Sequence, residues 1–191
     1  NGTKLINVVN LYSDPYIKLE DLEQLEVDDN EKKKFKVNKY EILCTRSSIK
    51  KEGIGKCNIY LDDEIVVFDR HIMKFTPNNK IVNPFYLNYL LNYNAARKQF
   101  IVRSKTTTMT TIGQGDIANI MVNIPSLKEQ LKIVDIIRKY DIKIELKQLL
   151  VKEKDKKRNW IMQNLLSGEK RLIDFNSKWA YVKLEKLFTE R

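Results

Sequence analysis

The chain has 191 residues, of which 42% are hydrophobic, and this is enough apolar material for one domain with a packed core. Lysine and arginine number 35 against 25 acidic residues, which gives a formal net charge of +10. No apolar stretch approaches the roughly 20 residues that cross a bilayer, and the first ten residues lack the features of a signal peptide. The composition therefore excludes wholesale disorder, and we expect a cytoplasmic protein with no membrane partner.

The positive charge is concentrated in the later part of the chain. Residues 1–35 carry eight acidic and five basic residues, so the remaining residues carry a net charge of +13. This excess favours a polyanionic partner, because lysine and arginine side chains that bind phosphates release condensed counterions. Ribosome-associated proteins and proteins on anionic membrane surfaces share this signal, so charge favours nucleic acid without selecting it.

Residues 1–124 are predicted to form a mixed domain of strands and helices. Four β-prone segments predict strands over residues 39–46, 57–61, 64–68 and 71–75. Asn83 and Pro84 predict the start of a helix, because Asn supplies a capping oxygen and Pro fits the first helical position. The fold class is therefore α+β, with a mixed sheet in this domain.

Residues 125–170 are predicted to form one long helix. Ser126 and Glu129 make a capping box at its start, and Gly168 is a natural stop. A helix over 126–167 would be about 63 Å long, whereas a domain of this size has a compact radius of about 15 Å. We therefore expect a second helix beside it, as in a coiled coil; the alternative is a hairpin, or a solvated tail beyond Val151. The apolar residues of the helix, three, four or seven positions apart, are Leu127, Leu131, Val134, Ile137, Ile144 and Val151.

One short motif invites a catalytic interpretation. Asn83-Pro84-Phe85-Tyr86 is close to the Asn-Pro-Pro-Tyr/Phe motif with which amino-methyltransferases hold a flipped adenine. Phe85 replaces the second proline, and the sequence has no glycine-bearing loop for S-adenosylmethionine after a strand. The start of a helix explains the same residues, so we expect no bound cofactor.

Signals for a metal or a nucleophile are weak. The run Asp62-Asp63-Glu64 is interpreted as a solvated turn, because three consecutive acids cannot all face one metal ion. His71 lies in a strand-like segment and is interpreted as a hydrogen-bonded structural residue. Cys44 and Cys57 lack metal-ligand spacing and are expected to pack as reduced thiols. The sequence therefore predicts neither a metal site nor a catalytic residue.

Basic and hydroxyl side chains gather in two loops next to predicted strands. Arginine and lysine can recognise guanine edges, whereas serine and threonine can bind either bases or phosphates. Both loops are candidate DNA-binding segments, although ordinary solvated loops have the same composition. The candidate residues are Arg46, Ser47, Ser48, Lys50, Lys51 and Lys56 in the first loop and Lys105, Thr107 and Thr108 in the second.

Several motifs resemble those of the specificity (S) subunit of type I restriction–modification systems. The segments concerned are 41–48 (EILCTRSS), 53–56 (GIGK), 83–87 (NPFYL) and 108–117 (TMTTIGQGDI). The segment 122–130, VNIPSLKEQ, is similar to the family's I-P-x-L-x-E-Q, and a long helix follows it as in the family. The resemblance covers residues 40–172 and implies one target-recognition domain followed by one conserved helical region.

This resemblance implies a non-catalytic subunit that binds double-stranded DNA and recognises one half of a bipartite site. The first domain would enter a DNA groove, with Arg46 as the direct base reader. The long helix would position methyltransferase (M) subunits, which bind S-adenosylmethionine, and a separate restriction/motor (R) subunit would cut DNA. A full specificity subunit has two such halves, so the resemblance implies a homodimer that pairs through the six apolar residues of the helix.

The end of the sequence has a further implication within this family. Specificity domains of the family usually begin with a Trp-x-x-x-x-Leu strand ahead of the recognition segment, and here that element lies in residues 178–191, as Trp179 to Leu184 and on to Phe188. The resemblance therefore implies a half-subunit with permuted ends, in which residues 178–188 return to the first domain and complete its sheet. A natural half-subunit and a fragment of a full-length subunit both fit this pattern.

Two functions of other classes remain as alternatives. A coiled-coil adaptor that binds only protein would show no DNA binding in the presence of the methyltransferase subunit. A stand-alone adenine methyltransferase or nuclease domain would act without partners, and methyl transfer by the purified chain would reveal the former.

Overall fold

A computed structural model describes residues 2–188 of the chain and confirms the predicted α+β class. Asn1, the first residue of the predicted domain 1–124, lies outside the described range. The strands are β1 (Thr3–Ile6), β2 (Glu23–Leu25), β3 (Lys36–Val37), β4 (Ile42–Thr45), β5 (Ser47–Ser48), β6 (Cys57–Ile59), β7 (Val66–Phe68), β8 (Ile72–Phe75), β9 (Lys105–Thr106) and β10 (Thr110–Thr111). The helices are α1 (Asp29–Phe35), α2 (Pro84–Asn92), α3 (Asn94–Arg103), α4 (Gln114–Ala118) and α5 (Leu127–Leu166), with 3-10 helices at Val8–Tyr12, Leu19–Asp21, Lys51–Gly53 and Leu184–Lys186.

The strands form three small sheets within the first of two compact units, Asn1–Ile142 and Lys143–Arg191. The strand order is β2-β1-β7-β3 in the four-stranded sheet and β6-β4-β8 and β5-β10-β9 in the two three-stranded sheets. The strands predicted around β4, β6, β7 and β8 are confirmed. They lie in two sheets, because β7 pairs with β1 and β3 whereas β4 pairs with β6 and β8.

Strand β4 lies at the centre of the core, and all four of its residues are buried. Ile42 and Cys44 belong to one hydrophobic cluster and Leu43 belongs to another. This alternation follows from strand geometry, in which successive side chains point to opposite faces of the sheet. Cys44 lies directly opposite Cys57, and both are buried free thiols, in agreement with a packing role.

Helix α2 begins where the sequence predicts it. The Oδ1 atom of Asn83 accepts hydrogen bonds from the backbone N–H groups of Phe85 (3.0 Å) and Tyr86 (3.2 Å), and Pro84 occupies the first turn. The Asn-Pro pair is therefore a helix cap, which is the interpretation that the sequence favoured over a methyltransferase motif.

Helix α5 is continuous over 40 residues, so the predicted long helix is confirmed and the hairpin alternative is wrong. Its first turns pack within the first unit, where Gln130 is fully buried. The Oε1 atom of Gln130 accepts from the N–H of Asn83 (2.8 Å), and its Nε2 atom donates to the carbonyl oxygens of Ile81 (3.1 Å) and Pro125 (2.9 Å). Gln130 thus joins the start of α5 to the loop before α2.

Further along the same helix, the carboxylate of Asp141 and the guanidinium of Arg138 also contact the rest of the first unit. The hydroxyl of Tyr89 donates to the Oδ2 atom of Asp141 (2.5 Å) and lies 2.7 Å from the hydroxyl of Tyr16. Burial, together with the hydrogen bond to Asp141, raises the pKa of Tyr89, so its hydroxyl stays protonated as a donor. The guanidinium of Arg138 lies 4.5 Å from the ring centroid of Phe85.

One residue of the predicted dimer surface has another role. Val134 is only 6% exposed and packs in a cluster with Val82 and Tyr86. Its position on the helix aligns it with the three polar residues that attach α5 to the first unit, since all four are spaced at about one helical turn. We call this set the docking stripe; it consists of Gln130, Val134, Arg138 and Asp141. Val134 is therefore a core residue of its own unit, and we remove it from the predicted dimer surface.

The second unit contains the remainder of α5 and the residues that follow it. The helix ends at Leu166, and Gly168 has a φ of +78°, a left-handed conformation that glycine adopts readily at helix ends. The ammonium of Lys170 lies 4.2 Å from the ring centroid of Trp160, and the guanidinium of Arg171 lies 4.9 Å from that of Trp179. These contacts pack the chain after Gly168 against side chains of its own unit.

The strand predicted in residues 178–191 is wrong for the described part, which ends at residue 188. Residues 178–188 form no strand; their regular structure is the 3-10 helix Leu184–Lys186. Trp179 is 53% exposed and Tyr181 is fully exposed. A strand requires a neighbouring strand with which its backbone can form hydrogen bonds. Residues 178–188 have no such partner among the described residues. Residues 189–191 lie outside the described range, and the return of this segment to the first domain stays a prediction.

Candidate nucleic-acid interface

A small sheet brings the two predicted DNA-binding loops together. Strand β10 pairs on one side with β5, where Thr111 lies opposite Ser47, and on the other side with β9, where Thr111 lies opposite Lys105. The first loop follows β5, and the second loop joins β9 to β10. Two clusters that are far apart in the sequence therefore share one three-stranded sheet, which we call the polar sheet.

Arg46 occupies the junction between the core and the polar sheet. Its N–H donates to the carbonyl oxygen of His71 (2.9 Å), and its own carbonyl oxygen accepts from the N–H of Ile112 (3.0 Å). These two hydrogen bonds fix the backbone of Arg46 at its N–H and at its carbonyl group, whereas the Arg46 side chain is exposed. A long cation on a fixed backbone is suited to contacting a ligand with little loss of backbone freedom.

Ser47 is directed inward, contrary to its predicted role in DNA contact. It is buried, and its hydroxyl forms a hydrogen bond with the Nδ1 atom of His71. The backbone N–H of His71 donates to the Oδ1 atom of Asp69 (2.6 Å). His71 is thus hydrogen-bonded, in agreement with its interpretation as a structural residue, and the Ser47 hydroxyl is bonded to the imidazole.

The loop after β5 is held in place by an arginine and a glycine. The guanidinium of Arg97 donates to the carbonyl oxygens of Glu52 and Ile54. Gly55 has a φ of +67°, and a Cβ atom added to it would lie 2.3 Å from the Cγ atom of Phe100. Only glycine fits this position, because a side chain would be strained in the backbone and would collide with the ring. Lys50 and Lys51 are exposed on this fixed loop.

Lys56 differs from the other predicted lysines. It is half-buried, and its ammonium lies 6.0 Å from the ring centroid of Tyr12. Burial, and to a smaller extent the nearby Arg97 guanidinium, lowers the pKa of Lys56. It lines a separate cavity of about 480 Å³ together with Asn88 and Asp141. Lys56 is therefore less accessible to a phosphate than Lys50 or Lys51.

The second loop is the tip of a tight hairpin. The N–H of Thr107 donates to the carbonyl oxygen of Met109 (3.1 Å), and the hydroxyls of Thr106 and Thr110 lie 3.0 Å apart across the strands. Lys105, Thr107 and Thr108 are exposed. The hairpin thus presents one cation and two hydroxyls beside the first loop.

A groove of about 530 Å³ lies between the first loop, the hairpin tip and the 3-10 helix Val8–Tyr12. We call it the loop groove. Seven of its ten lining residues were not predicted as site residues, and four of these seven contribute apolar surface and one phenol. These residues are Val8, Tyr12, Ile49 and Met109. The remaining lining residues are Ser47, Ser48, Lys50, Glu52, Gly53 and His71.

Two further features concern metal ions and membranes. Among residues 2–188, no group of three or more His, Cys, Asp or Glu side chains is placed to hold a metal ion. In the same range, no helix is both long enough and apolar enough to cross a bilayer.

The sequence matches a known protein family. The model of the type I restriction modification DNA specificity domain matches residues 3–154, which is most of the chain. The chain belongs to this family. The match includes both loops of the polar sheet and more than half of helix α5.

Individual specificity subunits agree with this assignment. The EcoBI specificity subunit of Escherichia coli is 29% identical over 135 residues, which are 70% of this chain and 27% of that protein. The HindI specificity subunit of Haemophilus influenzae is 34% identical over 92 residues, or 46% of this chain and 20% of that protein. The chain thus spans about a quarter of the length of the curated relatives that it matches.

Solved structures of the family share the fold of this specificity domain. The HsdS subunit from Thermoanaerobacter tengcongensis aligns with a TM-score of 0.59 at 13% identity, over 94% of this chain and 45% of that one. The S subunit from M. genitalium aligns with a TM-score of 0.54 at 15% identity, over 88% and 39% of the two chains.

The sequence signals selected polar residues of this surface and passed over its apolar ones. Charge and hydroxyl content select Arg46, Lys50 and the hairpin threonines as candidates, because these residue types are typical of DNA contacts. Tyr12 reaches the loop groove from a 3-10 helix far away in the sequence, and no local signal marks it. Ile49 does have a local signal, because it is an aliphatic residue within a polar loop.

Proposed function

We propose that this domain recognises one half of a bipartite DNA site for a type I restriction–modification complex. The observation that carries the proposal is the polar sheet, which joins two basic loops on a backbone fixed by hydrogen bonds. Arg46 is the proposed base reader, because an exposed guanidinium at the junction can bond bidentately to guanine O6 and N7. Lys50, Lys51 and Lys105 bind phosphates.

The hydroxyl residues and Lys56 have different parts in this proposal. Thr107 and Thr108 are exposed at the hairpin tip and bind base edges or phosphates. Ser48 is half-buried in the loop groove and has a shorter reach. Ser47 and Lys56 are not proposed to contact DNA directly. The Ser47 hydroxyl is hydrogen-bonded to His71, and the Lys56 side chain is half-buried.

Two copies are proposed to pair through helix α5. Four of the six predicted interface residues are exposed, Ile137 is half-buried, and Val134 is a core residue. The exposed ones are Leu127 (37%), Leu131 (55%), Ile144 (49%) and Val151 (60%). Exposed apolar residues at this density favour a protein partner. A two-fold symmetric pair would place identical readers on two half-sites, so the recognised site would be an inverted repeat.

The catalytic steps belong to other subunits in this proposal. The curated relatives are specificity subunits, and a solved structure similar to this chain comes from work on complex assembly of the type I system. We infer that methyltransferase (M) subunits and a restriction/motor (R) subunit assemble on this chain and bring their own cofactors. The chain itself supplies the DNA sequence recognition.

Selection of binding sites from randomised duplexes tests this proposal. The full chain, with and without the methyltransferase subunit of its own system, should enrich a bipartite inverted repeat. Arg46→Ala should relax the choice of base at one position of each half-site by about 1–3 kcal/mol. Lys51→Ala should weaken all duplexes equally and reduce the slope of log K against log salt by about one.

The control is Arg158→Ala, which removes an exposed arginine of α5 and should leave the base preference unchanged. Failure to enrich any sequence under both conditions would contradict DNA recognition and favour a protein-binding adaptor. Enrichment of a single half-site would contradict the dimer. An unchanged base preference in Arg46→Ala would contradict the role of that residue.

A further inference from the structure

Ile49 is an exposed aliphatic residue within a polar loop. It lies between Ser48 and Lys50, and 84% of its surface is exposed. The loop that carries it is fixed by Arg97 and Gly55, so this exposure is not the result of a free chain end. An apolar side chain held in water on a rigid loop gains free energy when a ligand covers it.

The surroundings of Ile49 indicate what such a ligand must contain. The loop groove has an apolar part, formed by Val8, Ile49 and Met109, beside hydroxyl and imidazole groups. Lys50 is the exposed cation of the lining and Glu52 is its acidic residue, while Arg46 and Lys51 are exposed residues next to lining residues in the sequence. A ligand that carries negative charge beside an apolar group fits this combination of side chains.

We propose that Ile49 contacts the 5-methyl group of a thymine in the recognised half-site. This inference rests on the proposed DNA recognition and adds a base-specific contact to it. In the major groove, the thymine methyl is the apolar group among base edges that otherwise carry hydrogen-bond donors and acceptors. A phosphate backbone supplies the charge that the neighbouring cations require, so duplex DNA satisfies both conditions.

The side chain itself suits this role. Isoleucine is branched at Cβ and has few rotamers, so little side-chain freedom is lost when it meets a methyl group. The neighbouring Lys50 can bind a phosphate while Ile49 faces a base. Ile49 then discriminates thymine from cytosine, which lacks the methyl group.

Replacement of thymidine by deoxyuridine tests this contact alone, because their bases, thymine and uracil, differ only by the 5-methyl group. In the site enriched by the full chain, each thymine is replaced in turn and the affinity is measured. One position should lose affinity by about fourfold in the wild type, which is the effect of burying one methyl-sized group. Ile49→Ala should bind the thymine and deoxyuridine duplexes with equal affinity at that position.

Ile65→Ala is the matched control, since Ile65 is also exposed (54%) but does not line the loop groove. This variant should keep the fourfold difference. The inference is overturned if no thymine is sensitive to the replacement, or if Ile49→Ala keeps the full difference. It is also overturned if Ile49→Ala impairs only the binding of the methyltransferase subunit, which would make the groove a protein-binding surface. In all these outcomes the site is still enriched, so the proposed function survives them; a chain that enriches no site contradicts both.

Discussion

Gln130→Ala is expected to lower the free energy of unfolding by about 2–4 kcal/mol. The substitution leaves the N–H of Asn83 and the carbonyl oxygens of Ile81 and Pro125 without the partner that they have in the fully buried amide. It also opens a cavity where the side chain was. Urea denaturation followed by circular dichroism measures the change.

Gln99→Ala provides the control for this prediction. The Gln99 amide makes comparable bonds to the backbone of Met121, at 2.7 and 3.0 Å, but these bonds are exposed to solvent. Water can replace the lost partner there, so the expected cost is below about 1 kcal/mol. Equal effects of the two substitutions would contradict the importance of Gln130 for the docking stripe.

Gly55→Ala is expected to destabilise the domain by about 2–5 kcal/mol. The new methyl group would lie 2.3 Å from the Cγ atom of Phe100, and the residue would have to keep a φ of +67°. Phe100 is fully buried, so its ring can move only by displacing neighbours in a close-packed core. Because Gly55 ends the loop that carries Lys50 and Ile49, DNA affinity should fall together with stability.

Gly115→Ala separates this effect from a general intolerance of glycine replacement. Gly115 lies in helix α4, and a Cβ atom added there would meet nothing within 4 Å. Alanine is a better helix former than glycine, so this variant should be as stable as the wild type or slightly more stable. A loss of more than 1 kcal/mol would show that the glycines of this chain are constrained by something other than the contacts described.

The elements that could be predicted from the sequence are those with local signals. Asn83-Pro84 marks the start of α2, and Ser126 with Glu129 marks the start of α5, because caps act within one turn. The strands β4, β6, β7 and β8 were likewise predicted from β-prone residues. These signals require no knowledge of distant parts of the chain.

Other features could not be predicted because they depend on long-range pairing. Strands β5, β9 and β10 have two residues each, which is too short for any periodicity, so the polar sheet was not foreseen. The docking stripe was hidden because Gln130 and Asp141 are polar and look like surface residues of a helix. Their partners, the loop before α2 and Tyr89, are remote in the sequence. Val134 was consequently assigned to a partner helix.

In the C-terminal segment, by contrast, a local sequence pattern predicted a strand that the described residues do not form. Its aromatic pattern resembled a strand, but residues 178–188 are exposed and without a paired strand among the described residues. A β-prone sequence indicates only a preference for strand structure, and a strand forms only where the edge of a sheet is available for pairing. The same limit applies to Ser47, whose residue type suited DNA contact while its position placed the hydroxyl on His71.

Lysine acetylation in the presence and absence of duplex DNA tests most directly whether the polar sheet is the DNA-binding surface. The full chain is treated with an acetylating reagent, with and without its selected site, and modified lysines are counted by mass spectrometry. We predict that DNA protects Lys50, Lys51 and Lys105, whereas the exposed Lys33 and Lys80 react equally in both samples. Protection of Lys33 or Lys80 with unchanged reaction at the polar sheet would contradict the account.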